Sequence, residues 1–403
     1  MQDHIKADVT PLEFYLARLG EAEEALASID AGTATILERA LTAEELSLDD
    51  GLKLAAAEGM ELQALIAVAD QVRRDVVGDV ITYVVNRNIN FTNICFVGCR
   101  FCAFSRTPHQ TDAYFLSLEE IGRRAAEAWQ RGASEVCVQG GLPRGMDGYH
   151  YRNVLLAIKK GAPEIHIHAY SPMEIVFGVE QTGLPLADYL LMLKEAGLGT
   201  LPGTAAEILD DRVRQLISRQ KLTVKQWIEV ITTAHRLGIR TTSTMMYGHL
   251  ENSEHWVRQL VLLRDIQKQT GGFTEFVPLG FVHQNTLLYR LGGARPGPTI
   301  QEHLKVHALS RLMLRGWVDN IQVSWVKLGR ELSQACMRVG ANDYGGTLMD
   351  ENISRLAGAT AGEYLSPAEF QHRIRELGRI PAQRSTEYKI IERREGSGPT
   401  VQI

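Results

Sequence analysis

The chain has 403 residues, 45% hydrophobic and 23% charged, an ordinary balance for a globular protein with a large core. A net charge of −5 leaves no basic surplus to neutralise phosphate, which excludes a non-specific nucleic-acid binder. No run of about 18 apolar residues could cross a membrane, no signal-peptide pattern opens the chain, and five mostly clustered cysteines are no disulfide framework; the expected compartment is reducing cytoplasm.

Residues 1–80 read as a helical extension packed on the core. Thr42-Ala-Glu-Glu-Leu46 has the Thr cap and first-turn acids of a helix start. Leu62, Leu65, Ile66 and Ala69 recur at helical spacing, and Asp50-Gly51 and Glu58-Gly59 are the expected breaks. From Ile81 the texture changes. Residues 81–85 and 89–92 are strand-like, the second run ending at a cysteine-rich loop. Strands are then expected at 135–139, 164–169, 198–201, 239–246, 273–278 and 320–325. Helices fall between them, at 118–131, 149–160, 185–196, 204–219, 224–237, 253–270 and 300–315, with a last pair near 328–342. About eight strands alternating with helices predict an α/β protein, a (β/α)8 TIM-type barrel. Residues 81–318 would form its core and 319–403 would complete and cap it, the last residues from Arg393 forming a disordered tail.

Three of the five cysteines lie in one short stretch, Asn90-Phe-Thr-Asn-Ile-Cys95-Phe-Val-Gly-Cys99-Arg-Phe-Cys102-Ala-Phe-Ser105, spaced C-x3-C-x2-C. Thiolates are soft ligands suited to iron–sulfur clusters and zinc. Structural zinc and electron-transfer clusters want four ligands, and here the local set stops at three, with Cys137 and Cys336 far away. On a four-iron cubane three thiolates leave one iron open, which suits a cluster that binds a substrate or cofactor. Zinc, with His109 as fourth ligand, is the competing reading, although a paired second knuckle is missing.

In a barrel, chemistry belongs at the carboxyl ends of the strands. Gln139-Gly140-Gly141 ends the second strand, where glycines let a ligand approach the backbone and receive its amides; a plain turn is the alternative. In Glu164-Ile-His-Ile-His168-Ala169 the alternation puts Ile165 and Ile167 towards the helices and His166 and His168 towards the interior. Those imidazoles need partners, from a polar cavity or from neighbouring core side chains. Tyr170 is expected in the loop above them. Thr204 and Glu207 read either as a capping box or as polar groups at the barrel top. Tyr247, Glu275 and Asn342 fall at or near further strands, so the mouth is expected to be polar.

The cysteine spacing resembles that of radical S-adenosylmethionine (SAM) enzymes. Beyond it, Asn86-Arg-Asn-Ile-Asn-Phe-Thr-Asn93, Gly203-Thr-Ala-Ala-Glu-Ile-Leu209, Ser243-Thr-Met-Met-Tyr-Gly-His249, Gly272-Phe-Thr-Glu-Phe-Val-Pro278, Arg295-Pro-Gly-Pro298 and Gly340-Ala-Asn-Asp-Tyr-Gly-Gly-Thr347 resemble the FO synthase subunit 2 family. Members of that family are 5-amino-6-(D-ribitylamino)uracil–L-tyrosine 4-hydroxyphenyl transferases of deazaflavin biosynthesis. Menaquinone-pathway relatives acting on futalosine-type substrates share several segments but favour Gly-Gly where this chain has Thr204-Ala205.

The resemblance implies one [4Fe–4S] cluster on Cys95, Cys99 and Cys102, with SAM at its open iron. It places Phe101 near the adenine, unless that ring is plain core packing. Gln139, Gly140 and Gly141 would hold the methionyl amine, and Glu207 the ribose or amino group. The reduced cluster would cleave SAM to methionine and a 5′-deoxyadenosyl radical, which activates L-tyrosine. Iminoacetate would leave and the 4-hydroxybenzyl fragment would add to C5 of the diaminouracil. His166, His168, Tyr170, Tyr247, Glu275 and Asn342 would face the substrates. One barrel with one three-cysteine motif implies a separate FO synthase subunit 1 as functional partner, together with an electron donor.

Overall fold

The computed structural model describes residues 9–392 and 400–401. Of the expected disordered tail, Thr400–Val401 are described and pair antiparallel with Ile391–Glu392; the rest lies outside the described residues.

The barrel begins with one bent extended run, β1 (Val80–Val84) and β2 (Asn86–Asn90). From β2 a parallel sheet runs in chain order through β3 (Glu135–Gln139), β4 (His166–Ala169), β5 (Thr200–Leu201), β6 (Arg240–Tyr247) and β7 (Phe273–Gly280). A single bridge, Phe276 to Ile321, carries the order onward, and Gln322 bridges in turn to Asp343 of β8 (Asp343–Gly346). The ring closes where β8 pairs in parallel with β1, Thr82 opposite Asp343 and Val84 opposite Gly346. Eight parallel segments in chain order are the (β/α)8 barrel that the sequence pattern predicts.

Alternation decides which side chains go where. Val136, Val138, Ile165 and Ile167 are fully buried in the apolar layer beneath the helices. Their neighbours Glu135, Cys137, His166 and His168 take the interior face, with Cys137 opposite His168 in register. Ser117, Ser171 and Thr223 cap the helices Leu118–Gln130, Pro172–Thr182 and Val224–Arg236 with their side-chain oxygens.

Three expectations are corrected. Thr42 ends the helix Ala31–Leu41 instead of opening one; the next helix, Leu48–Ala55, is started by Ser47 in a reciprocal capping box with Asp50. Gly51 is no break. It lies inside that helix, where an added Cβ would stand 2.6 Å from Val257 and 3.0 Å from Met313. Residues 204–210 are not helical either. Ala205 and Glu207 have φ of +60° and +41°. The guanidinium of Arg214 donates to the carbonyls of Ala206 (2.6 Å) and Ala205 (3.1 Å), drawing them away from helical bonding. The helix therefore starts at Asp211, capped by Asp210.

The C-terminal part adds the helix Pro367–Glu376 and a strand, β9 (Ile380–Gln383), parallel to β1 on the edge that β8 leaves free. The chain then enters the base of the barrel. Arg384 donates to Asp343 (2.5 and 3.0 Å) and to Glu275 (3.3 Å), Thr386 donates to Glu135 (2.6 Å), and Tyr388 donates to Glu275. No helix among the described residues is long and apolar enough to cross a membrane.

Candidate active site

A cavity of about 290 Å³ opens at the carboxyl ends of the strands. Cys95, Cys99 and Cys102 all line it. Their loop is held by its own backbone: the Cys95 N–H donates to the Arg106 carbonyl (3.0 Å), Cys102 to Cys99 (3.1 Å) and Arg100 to Ile217 (2.9 Å). Arg106 turns its guanidinium back onto the carbonyls of Ala103 (2.9 Å), Phe104 (3.3 Å) and Ser105 (3.0 Å), fastening the end of the loop. Burial pushes the Cys99 thiol up to about 12, with Lys221 opposing, and raises Cys102 as well. Both shifts favour the protonated thiol, and a bound metal centre would displace those protons.

The donor set fits an iron–sulfur cluster. Three soft thiols share one cavity, Cys137 faces the barrel interior outside its lining, and Cys336 is fully buried elsewhere. Among the described residues no three His, Cys, Asp or Glu side chains converge as ligands of one ion would. A cubane asks for a wider spread, because each thiolate binds a different iron. His109, the fourth ligand of the zinc reading, is exposed and outside the lining.

Gln139, Gly140 and Gly141 line the cavity beside the cysteines. The glycines are required by close packing: a Cβ on Gly140 would stand 2.4 Å from the Phe91 ring, and one on Gly141 2.2 Å from the Ile94 carbonyl oxygen. Their amides are not free for a ligand, contrary to expectation. Gly141 donates to the Thr92 carbonyl (2.8 Å) and Gly140 to Oε1 of Glu174 (2.9 Å). Glu174, which also lines the cavity, escaped the sequence reading because Ser171-Pro-Met-Glu174 is a working capping box. Burial raises its carboxyl to about 7, against the bonds from Ser171 and Gly140. Gln139 donates from Nε2 to Thr204 Oγ1 (2.7 Å), so Thr204 joins two loops and caps no helix.

Phe101, Glu207 and Lys221 form one contact group on the lining. Lys221 Nζ lies 2.7 Å from Glu207 Oε1 and 5.2 Å from the centre of the Phe101 ring. Burial works against that cation, and the adjacent Glu207 carboxylate more than offsets it. Glu207 Oε2 is buried with no hydrogen-bond partner, as is Oδ1 of Asn90 on the same lining. Such atoms at a cavity wall are where a polar ligand belongs. Nothing in the sequence around Lys221 set it apart from a surface lysine.

The remaining candidates stand elsewhere. His166 Nε2 and His168 Nδ1 share Thr200 Oγ1 at 2.9 and 2.7 Å, inside the barrel but off the cavity lining. Burial pulls His168 down to about 4, with Glu135 opposing. As substrate contacts, Tyr170, Tyr247, Glu275 and Asn342 are corrected. Tyr170 is fully buried and donates to the Tyr151 carbonyl (2.7 Å). Tyr247 is fully buried with its hydroxyl on His303 Nδ1 (2.7 Å). Glu275 is taken by Arg384 and Tyr388. Asn342 Oδ1 accepts from Arg311 and from the Ile321 amide, both at 2.8 Å.

Comparison with known proteins bears on this site. Residues 89–263 match the radical SAM superfamily, and residues 270–396 the CofH/MqnC C-terminal region. The 5-amino-6-(D-ribitylamino)uracil–L-tyrosine 4-hydroxyphenyl transferase of Methanothermobacter thermautotrophicus is 51% identical over 365 residues, covering 91% of this chain and 99% of that one. The FO synthase of Nocardia farcinica is 55% identical over 349 residues, and the chain spans 40% of its length. Among solved structures, methylornithine synthase aligns with a TM-score of 0.68 at 18% identity, covering 86% of this chain and 97% of that one. The [FeFe]-hydrogenase maturase HydG aligns at 0.70 and 15%, covering 95% and 79%. At such identity the likeness is one of fold.

Proposed function

The chain belongs to the radical SAM family of 5-amino-6-(D-ribitylamino)uracil–L-tyrosine 4-hydroxyphenyl transferases, and from that premise we propose that it carries the 4-hydroxybenzyl group of L-tyrosine to the diaminouracil. The products in this reading are 5-amino-5-(4-hydroxybenzyl)-6-(D-ribitylimino)-5,6-dihydrouracil, 2-iminoacetate, 5′-deoxyadenosine and methionine. The carrying observation is that three cysteines, one short of a closed ligand set, line the same cavity as Glu207 and Asn90, each with a buried oxygen that accepts no hydrogen bond.

Cys95, Cys99 and Cys102 would hold a [4Fe–4S] cluster, which with SAM supplies reductive cleavage and hydrogen abstraction. The chain's own residues bind and orient. Glu207 offers an acceptor to a hydroxyl or ammonium donor of SAM, and Lys221 fixes its other oxygen while lying over the Phe101 ring. Glu174 presents a second carboxyl beside Gly140. Apolar walls at Val97, Leu142, Met173 and Phe281 exclude water from the reacting centre.

The chain spans 40% of the length of the FO synthase it matches, and in this reading the activity of FO synthase subunit 1 is its functional partner. An external electron donor completes the system. The test is anaerobic, reconstituted protein given SAM, reductant, tyrosine and the diaminouracil. The adduct and iminoacetate should form, and omitting tyrosine should stop both. Efficient turnover of a futalosine-type substrate with no turnover of this pair would overturn the assignment.

A further inference from the structure

The cavity has two lysines on its wall, and they are differently placed. Lys221 follows β5, on the arc that carries Gly140, Glu174 and Glu207, and Glu207 neutralises it. Lys327 lies on the other side of the ring, on the helix Trp325–Met337 that follows the segment 321–322. Its one hydrogen bond is from Nζ to Ser354 Oγ, and no carboxylate stands within 4 Å of it among the described residues. The nearest acidic influence, Glu351, is committed to the backbone. It accepts from the amides of Ser354 (3.0 and 3.2 Å) and Arg355 (3.3 Å), at the start of the helix Ile353–Ala357. An ammonium has three protons to donate, so two remain for a ligand.

The surroundings make that vacancy costly. Leu279, Phe281, Val282, Ile353 and Ala357 are apolar members of the same cavity wall. A half-buried cation beside such groups gains from an anion that pairs with it, and burial lowers its pKa, with Glu351 opposing. The ligands of the proposed reaction can be sorted by charge. The diaminouracil with its ribityl chain offers hydroxyls and N–H groups but no anion. SAM also carries a carboxylate, on the methionyl end that would bind at a cluster held by Cys95, Cys99 and Cys102. The remaining anion is the α-carboxylate of tyrosine.

We propose that Lys327, steadied by Ser354, is the anchor for the α-carboxylate of the amino-acid substrate. The proposal rests on the tyrosine reading above and adds the residue that selects an amino acid over the corresponding amine.

The experiment measures binding of tyrosine, tyramine and SAM to cluster-loaded protein, in the wild type and in Lys327→Met and Ser354→Ala. Wild type should hold tyrosine far better than tyramine, which lacks the carboxylate. Lys327→Met should weaken tyrosine roughly 30-fold or more, the usual loss when one partner of a desolvated charge pair is removed. Tyramine and SAM binding should not change, and the KM for tyrosine should rise more than kcat falls. Ser354→Ala should show a smaller loss in the same direction, and iron content with thermal unfolding checks that both variants fold. Unchanged tyrosine affinity in Lys327→Met overturns the proposal. So does a parallel loss of SAM, which would give the lysine to the cofactor's carboxylate. If wild type itself neither binds tyrosine nor forms the adduct, the reaction reading has failed, and that shows before any substitution is made.

Discussion

The barrel holds two sets of inward polar groups, one at its mouth and one at its base, and they are satisfied in different ways. At the mouth, Glu207 Oε2 and Asn90 Oδ1 accept no hydrogen bond, Lys327 has one hydroxyl, and three thiols line one cavity. At the base, charge meets charge within the chain. Arg384 binds Asp343 and Glu275, Thr82 donates to Asp343, and Glu135 accepts from Asn86 (2.8 Å) and Thr386 (2.6 Å). The mouth is built for ligands, whereas the base is built for the C-terminal segment that plugs it. An inward polar face is therefore a site only where the rest of the chain leaves it open.

The largest effect should come from the mouth. Cys95→Ala, Cys99→Ala or Cys102→Ala should each abolish the brown iron–sulfur absorption and all 5′-deoxyadenosine formation. Cys137→Ala and Cys336→Ala should keep full iron content, since neither lines the cavity. Loss of iron from the Cys137 variant with the fold intact would move the ligand set into the barrel interior and erase the contrast.

At the base, Arg384→Met should cost stability in place of chemistry. It leaves Asp343 and Glu275 buried without their cation, a loss of about 3–5 kcal/mol by precedent for broken buried pairs. Chemical denaturation of the variant reads this directly. If Arg384→Met were as stable as wild type but lost tyrosine turnover, the base would be part of the substrate site.

Acid should act in opposite directions on the buried imidazoles and on the buried Glu174 carboxyl. Burial pulls His168 from 6.5 to about 4 in the folded chain, with Glu135 opposing. The unfolded chain then binds the extra proton between those values, so the stability His168 contributes is complete above pH 6.5 and is lost as pH falls towards 4. His235 and His307 (about 4) and His303 (about 3), all lowered by burial, add in the same direction. Glu174 runs the other way: raised to about 7 by burial, it contributes stability at low pH that is lost as pH rises through 7. His168→Gln should flatten the fall of unfolding free energy between pH 6.5 and 4 by up to one proton, ~1.4 kcal/mol per pH unit. An unchanged slope would mean that His168 is charged in the folded state.

What was legible in the sequence follows the range of the interactions involved. The strand order and the inward face of His166 and His168 follow from local alternation, and the cysteine loop declares itself within eight residues. The plug was not legible, because Arg384 and Thr386 meet partners 41 and 251 residues away and nothing local marks them. Lys221 and Lys327 were missed for a related reason: a lysine's environment is tertiary, and in a short link between expected elements each reads as solvated surface. Residues 204–210 misled because Thr204 and Glu207 have capping-box spacing, while Arg214, further along, takes the carbonyls a helix there would use.

The smallest effect tests the same contrast on the tyrosines. Tyr170 and Tyr247 were expected to give the substrate aromatic surface, and both instead spend their hydroxyls inside the fold, on the Tyr151 carbonyl and on His303. Tyr170→Phe or Tyr247→Phe deletes one buried hydrogen bond and keeps the ring packing, including the contact of Tyr247 with Trp256. Each should lower unfolding free energy by about 1 kcal/mol. The imidazole left unpaired at His303 places Tyr247→Phe at the upper end, since an orphaned buried acceptor costs more than the bond itself was worth. Neither variant should alter the KM for tyrosine or for the diaminouracil, because neither hydroxyl reaches the cavity. A several-fold rise in either KM at unchanged stability would mean that the ring is exchanged into the cavity during turnover, and would return that tyrosine to the substrate site.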